Sequence, residues 1–280
     1  MKIVYFGTDV FLSCFLYFAE HHQILGLYTY HNDEDYFTEY SIVREAKRMG
    51  IPVHYEDMTK EETCRYFLEQ GCQLFFVAEY NRILPVPEGL DSFRGINLHS
   101  SLLPVGRSYY PIEAAMERDI KRSGVTMHKI SPSLDAGDIL DSYPLEISEE
   151  MDSVDVYLGC GLGAESMARR MMEDFEASWN KARTQKTDKK YPYWKRPSEE
   201  KLTITHEITT VQALDCFRRY NQLTQVILEN RAYYIRAMDT GTAFLKEDVI
   251  LIKGDQILYR VTDGHLRLIL HTERGIGDET

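Results

Sequence analysis

Short apolar runs alternate with amphipathic stretches through the first half of the chain, and that alternation leaves few folds open. KIVYFG, ending at Gly7, reads as a strand, and Thr8 or Asp9 is placed to cap a helix through about His21. QILGLYTY is the next strand and HNDEDYFTEY an acidic loop with no apolar period. SIVREAKRMG predicts a helix closed by Gly50, IPVHY a strand, and TKEETCRYFLEQG a helix ended by Gly71. CQLFFVAEY and INLHSS read as buried strands. This order implies an α/β fold, a Rossmann-like, mostly parallel sheet with helices on both faces. Ligands of such sheets sit at the carboxyl ends of the strands. PIEAAMERD then predicts a helix and SGVTMHKI a strand. LDAGDILDSYPLEI reads as a loop entering another strand, and residues 154–179 as a long helical stretch.

After Leu202 the pattern changes. One helix, TVQALDCFRRYNQL, precedes the short strands QVILEN, AYYIRAM, DVILIK, QILYRVTD and HLRLILH. Close spacing and turn residues predict a smaller C-terminal β-barrel-like domain. The boundaries are therefore 1–185 for the larger domain, 186–201 for a linker and 202–280 for the β-rich domain. Residues Lys181 to Arg196 hold seven Lys/Arg against one Asp. They read first as a solvated linker and alternatively as a phosphate-contacting arm. The five cysteines show no CxxC spacing, so free, mostly buried thiols are expected rather than disulfides, and no metal site. No apolar run reaches membrane-spanning length, and MKIVYFGT lacks a signal-peptide cleavage site, so the expected location is cytoplasmic. A net charge of −12 disfavours partners with a phosphate backbone.

The candidate chemistry lies between residues 97 and 138. Asn97 and His99 are two apart, so on an extended strand they share a face. An amide donor beside an imidazole can stabilise an oxyanion and handle a proton. Ser133-Leu134-Asp135-Ala136-Gly137-Asp138 reads as an exposed loop whose carboxylate could orient His99 and favour its protonated form. Taken alone, the first element also fits a hydrogen-bonded structural histidine, and the second a simple Asp/Gly turn.

In combination, N-x-H-x-S-L-L-P, GRS-x-x-P-I, S-G-V-T and L-D-A-G-D-I-L resemble the folate-dependent formyltransferase family, which includes methionyl-tRNA formyltransferase and amino-sugar N-formyltransferases. The separation of 38 residues from Asn97 to Asp135 is similar to the family's, as are the KIVYFGT start, the segment Val77–Pro85 and the β-rich C-terminus. The resemblance implies 10-formyltetrahydrofolate as formyl donor, no metal, and Asn97, His99 and Asp135 as catalytic residues. It places the pterin near Asn81, Ile83, Leu84 and Pro85 and near Ala136, Gly137 and Asp138, with Ile139 adding to an apolar wall.

The transfer-RNA enzyme of the family carries a basic insertion where this chain has the short, acidic His31–Phe37, and residues 201–280 are near neutral, with 10 Lys/Arg and 11 Asp/Glu. That departure favours a small amine over tRNA, a nucleotide-linked amino sugar first. Arg107 could hold a diphosphate, with Ser101, Tyr109 and Tyr110 lining the substrate. A homodimer is left open, and no membrane partner is expected. Alternatives are methionyl-tRNA formyltransferase, a formyltetrahydrofolate hydrolase, a non-catalytic folate-binding protein and, more distantly, a nicotinamide oxidoreductase. Gly159-Cys160-Gly161-Leu162-Gly163 lacks the full dinucleotide fingerprint and reads as close helix packing.

Overall fold

The computed structural model describes residues 1–31, 39–56, 61–84, 93–186, 190–241 and 247–271. The first domain is built on seven strands: β1 (Lys2–Gly7), β2 (Gln23–Tyr28), β3 (Val53–His54), β4 (Leu74–Ala78), β5 (Gly95–His99), β6 (Arg122–Lys129) and β7 (Ile139–Glu146). Their order in the sheet is β3-β2-β1-β4-β5-β6-β7. The first five run parallel, and β6 and β7 are antiparallel additions at one edge. The mostly parallel sheet expected from the alternation is present.

The parallel strands read as unbroken apolar runs because both faces are covered. Ile3 and Tyr5 of β1 face one core with Phe76 and Ala78 of β4, while Val4 and Phe6 face a second with Phe75 and Val77. Helices α1 (Leu12–His21), α2 (Ser41–Arg48), α4 (Pro111–Glu117) and α5 (Ser153–Glu173) contribute to the first core. Helix α3 (Glu61–Glu69) contributes Cys64 and Phe67 to the second.

Local signals place most of these elements, with two corrections. Thr8 makes no capping bond, and Asp9 begins a 3-10 turn ahead of α1. The Asp9 carboxylate instead accepts from Ser41 N and Ile42 N, each at 2.8 Å, so it caps α2 across the sheet's edge. The single helix expected over 154–179 is broken at Asp174, which caps a separate α6 (Phe175–Asn180) through Ala177 N. Helix α5 starts on a reciprocal Asp152–Asp155 capping box. Its Gly159 and Gly163 lie against Leu145 and Tyr143 of β7, the close packing expected of those small residues.

The second domain follows a short α7 (Glu199–Leu202). Strands β8 (Thr203–Ile204), β9 (Gln225–Leu228), β10 (Arg231–Gly241), β11 (Val249–Lys253), β12 (Gln256–Val261) and β13 (Gly264–Leu270) form a sheet in the order β11-β12-β13-β10-β9-β8. Helix α8 (Thr210–Tyr220), entered through a Thr209–Gln212 capping box, packs on it. The long β10 pairs with β9 through its first residues and with β13 through the rest, with a register shift between Ile235 and Ala237. Among the described residues β8 and β11 do not pair, so the barrel-like domain is an open sheet bent at β10. The five cysteines are free thiols, four of them buried. Among the described residues no helix is long and apolar enough to cross a membrane.

Candidate active site

Asn97 and His99 end β5 at the carboxyl edge of the parallel strands, where β6 joins antiparallel and sets His128 opposite Asn97 and Thr126 opposite His99. The loop after β6 folds back over this edge. Gly137 crosses the Lys129 carbonyl so closely that a Cβ there would lie 1.8 Å from its oxygen. The crossing is held by Lys129 N donating to Asp138 O at 2.9 Å. It returns Asp135, in a left-handed backbone with φ 50°, to the face of His99.

His99 and Asp135 are both buried, with Nδ1 and Oδ1 3.7 Å apart. His99 Nε2 is 2.9 Å from the Gly106 carbonyl. A carbonyl only accepts, so Nε2 carries a hydrogen and Nδ1 faces Asp135. A proton taken up at Nδ1 would be stabilised by the carboxylate beside it. Burial pushes the Asp135 carboxyl above the usual range, while His99 and Arg107 pull it partly back.

Asn97 is oriented by a residue that sequence reasoning missed. His128 Nδ1 donates to the Lys129 carbonyl at 2.9 Å, which leaves Nε2 to accept from Asn97 Nδ2 at 3.1 Å. Burial, and then the neighbouring His99, push His128 down to about 3, so it stays a neutral acceptor. The bond fixes which end of the Asn97 amide carries the hydrogens and leaves one N–H for another partner. The only sequence signal for this role is the position of His128 in the alternating strand ahead of the Asp135 loop.

Other expected site residues lie in mixed surroundings. The buried Ser101 hydroxyl donates to Val105 O at 2.7 Å and so braces the turn. Arg107 acts electrostatically on Asp135 and donates to the Tyr191 carbonyl. Tyr109 is exposed and packs edge-on to the half-buried Tyr110, with ring centroids 4.8 Å apart. Asn81 and Ile83 are exposed, whereas Leu84 is buried in the second core with Val77 and Phe6. Ile139 is buried, Ala136 and Asp138 are half-buried, and Pro85 lies outside the described residues.

The segment Lys181–Arg196 is not a plain solvated linker. Arg183 exchanges backbone hydrogen bonds with Ile139. Gln185 is buried, and its Nε2 donates to the carbonyls of Asp135 and Gly137 at 3.2 and 2.6 Å, which props the loop that carries Asp135. Trp194 N donates to Arg107 O at 2.7 Å. Residues 187–189 lie outside the described residues.

Residues 36–159 match a family model described as formyl transferase. The methionyl-tRNA formyltransferase of Fusobacterium nucleatum is 28% identical, over 95% of this chain and 90% of that enzyme. An N-formyltransferase from Helicobacter canadensis, solved with folinic acid and dTDP-3-aminofucose, superposes with a TM-score of 0.61 at 17% identity, over 96% of this chain and 98% of that one. A variant of HypX from Aquifex aeolicus superposes with a TM-score of 0.69 at 15% identity, and the chain spans 45% of its length. The match over residues 36–159 and the similarity along most of the chain together support a place in the folate-dependent formyltransferase family. Within it, the relatives alike in sequence are named for methionyl-tRNA, and several of the structures alike in fold are named for sugars.

Proposed function

We propose that the chain moves a formyl group from 10-formyltetrahydrofolate to the primary amine of a small molecule, a nucleotide-linked amino sugar first, with Asn97, His99 and Asp135 at the reacting centre. The observation that carries this reading is the buried His99–Asp135 pair, 3.7 Å apart, with Asn97 two residues away on the same strand. The folate would supply an electrophilic formyl carbon. The residues present fit it: exposed Ile83 offers an apolar face, and the backbone of Ala136, Gly137 and Asp138 offers a polar edge held by Gln185. Asn81 would complete that contact, with Leu84 supporting it from the core.

In this reading Asn97, pinned by His128, aims its remaining amide hydrogen at the oxygen on which negative charge develops. His99, protonated on Nδ1, adds a second donor. Asp135 stabilises that cation and positions the attacking amine. Arg107, Ser101, Tyr109 and Tyr110 belong to the acceptor side, where Arg107 is the candidate contact for an anionic group. The net charge of −12 supports a small acceptor over tRNA. A second reading, methionyl-tRNA as acceptor, is supported by the 28% identity over 95% of the chain with the Fusobacterium enzyme.

An acceptor screen with 10-formyltetrahydrofolate tests both. Turnover with an amino sugar alone supports the first reading and turnover with methionyl-tRNA the second. Folate release without an acceptor points to hydrolysis, and no release to a binding protein. Alanine at Asn97, His99 or Asp135 is expected to lower turnover by about 100-fold or more with melting unchanged. Near-normal rates in folded His99→Ala would remove the site assignment. Turnover is also expected to fall in acid as Asp135 takes up a proton, at a pH above the ordinary carboxylate range because burial raises its pKa.

A further inference from the structure

The segment joining the two domains is clasped to the loop that follows β5 in both directions. Trp194 N donates to the Arg107 carbonyl at 2.7 Å, and the Arg107 guanidinium donates to the Tyr191 carbonyl at 2.5 Å. The Trp194 indole lies against Gly106, where an added Cβ would stand 3.2 Å from the ring and 2.8 Å from Ser101 Cβ. The Arg118 guanidinium, just past α4, sits 4.8 Å over the same indole. Gly106, with φ 80°, is the residue whose carbonyl receives the Nε2 hydrogen of His99. Loop, indole and histidine are therefore in one line of contact.

We propose that Trp194 is a positioning residue for the reaction: by pinning Gly106 it keeps the hydrogen of neutral His99 on Nε2 and leaves Nδ1 to Asp135 and the reacting groups. Two acceptors compete for the ring hydrogen of neutral His99, the Gly106 carbonyl 2.9 Å from Nε2 and the Asp135 carboxylate 3.7 Å from Nδ1, and the shorter, directed contact holds it on Nε2. The segment between the domains thereby becomes part of the catalytic apparatus. This rests on the reading of His99 as the reacting histidine.

The test reads the ring nitrogens of His99 by 15N spectroscopy on the full chain, in wild type, Trp194→Ala, Trp194→Phe and Arg118→Gln. Neutral wild-type His99 should show the Nε2–H form. Trp194→Ala should shift the tautomer ratio about tenfold or more towards Nδ1–H, as expected when one selecting hydrogen bond is lost. Trp194→Phe should retain the wild-type signal, and Arg118→Gln should move it part of the way. An unchanged ratio in folded Trp194→Ala overturns the proposal. If that variant does not fold, an unchanged ratio in Arg118→Gln overturns it instead. The ratio is read without acceptor or turnover, so its failure is separate from failure of the formyl-transfer reading, which His99→Ala decides.

Discussion

Three histidine and amide contacts make the proposed reacting centre directional. His99 donates to Gly106, Asn97 donates to His128, and His128 donates to the backbone of Lys129. Each donor has one acceptor, so the rings and the amide are held in single orientations. His128→Ala would leave the Asn97 amide without its partner, and kcat is expected to fall about 10- to 100-fold, somewhat less than loss of an oxyanion donor itself. The acid limb of the pH profile should stay in place, since His128 is neutral throughout. A shift of that limb in His128→Ala would mean that His128 itself titrates in catalysis. Asn97 and His99 were singled out in the sequence by the combination of motifs that carries the family resemblance, because their two-residue spacing on a strand fits a structural histidine equally well. His128 was not, because its role depends on antiparallel register between β5 and β6, which no local pattern encodes.

Among the elements, α4 and the end of β4 hold a pair of carboxylates with no part in the reacting centre. Glu113 is buried in α4 and accepts from Tyr157 OH at 3.2 and 3.3 Å. Glu79, half-buried as a residue, follows directly on β4 with φ 66°. Desolvation pushes both carboxyls up to about 7, and for Glu113 the charge of Glu79 adds to it. An unfolded chain releases these protons near the ordinary value of 4.5 and the folded chain only near 7. The stability they contribute is therefore complete below about 4.5 and is lost as pH rises through 7. Glu113→Gln, which keeps an acceptor for Tyr157, should match wild type in melting at pH 5 and exceed it at pH 8 by on the order of 2 kcal/mol. Equal differences at the two pH values would show that burial is not the cause. Helices and strands themselves were largely visible beforehand, since apolar period and terminal glycines are local. Asp9 capping α2, and the break at Asp174, were not: the first is a contact 32 residues away in sequence and the second a local capping choice inside an apolar period.

At the scale of the whole molecule the two domains are joined by α8 as well as by the Trp194 segment. Arg218 donates to the Met151 carbonyl at 2.8 Å, and Arg219 donates to the Met116 carbonyl and pairs with Asp119 at 2.9 Å. Asp215 aligns both guanidinium groups from within α8. They border a cleft of about 560 Å³ lined by both domains, including Ile120, Ile147 and Ser148. Replacing both arginines by alanine should uncouple the domains. A single calorimetric transition should split in two, with a loss of about 1.5–3 kcal/mol for each charged hydrogen bond removed. One unsplit transition at the wild-type temperature would assign the coupling to the segment 190–196 alone. The two-domain plan was readable from the change in period after Leu202. The docking of the intervening segment was not, because its Lys and Arg dominate the composition while its contacts are made by backbone groups, Gln185 and Trp194.

The Asp9 carboxylate gives the larger domain a fixed bolt at the start of α2. β2 ends at Tyr28 and the chain is tied down again at Ser41 and Ile42, whatever length of chain runs between them. A longer or shorter connection there should leave the sheet and the Asn97–His99–Asp135 geometry in place, because Asp9 and the pairing of β2 with β1 hold its two ends.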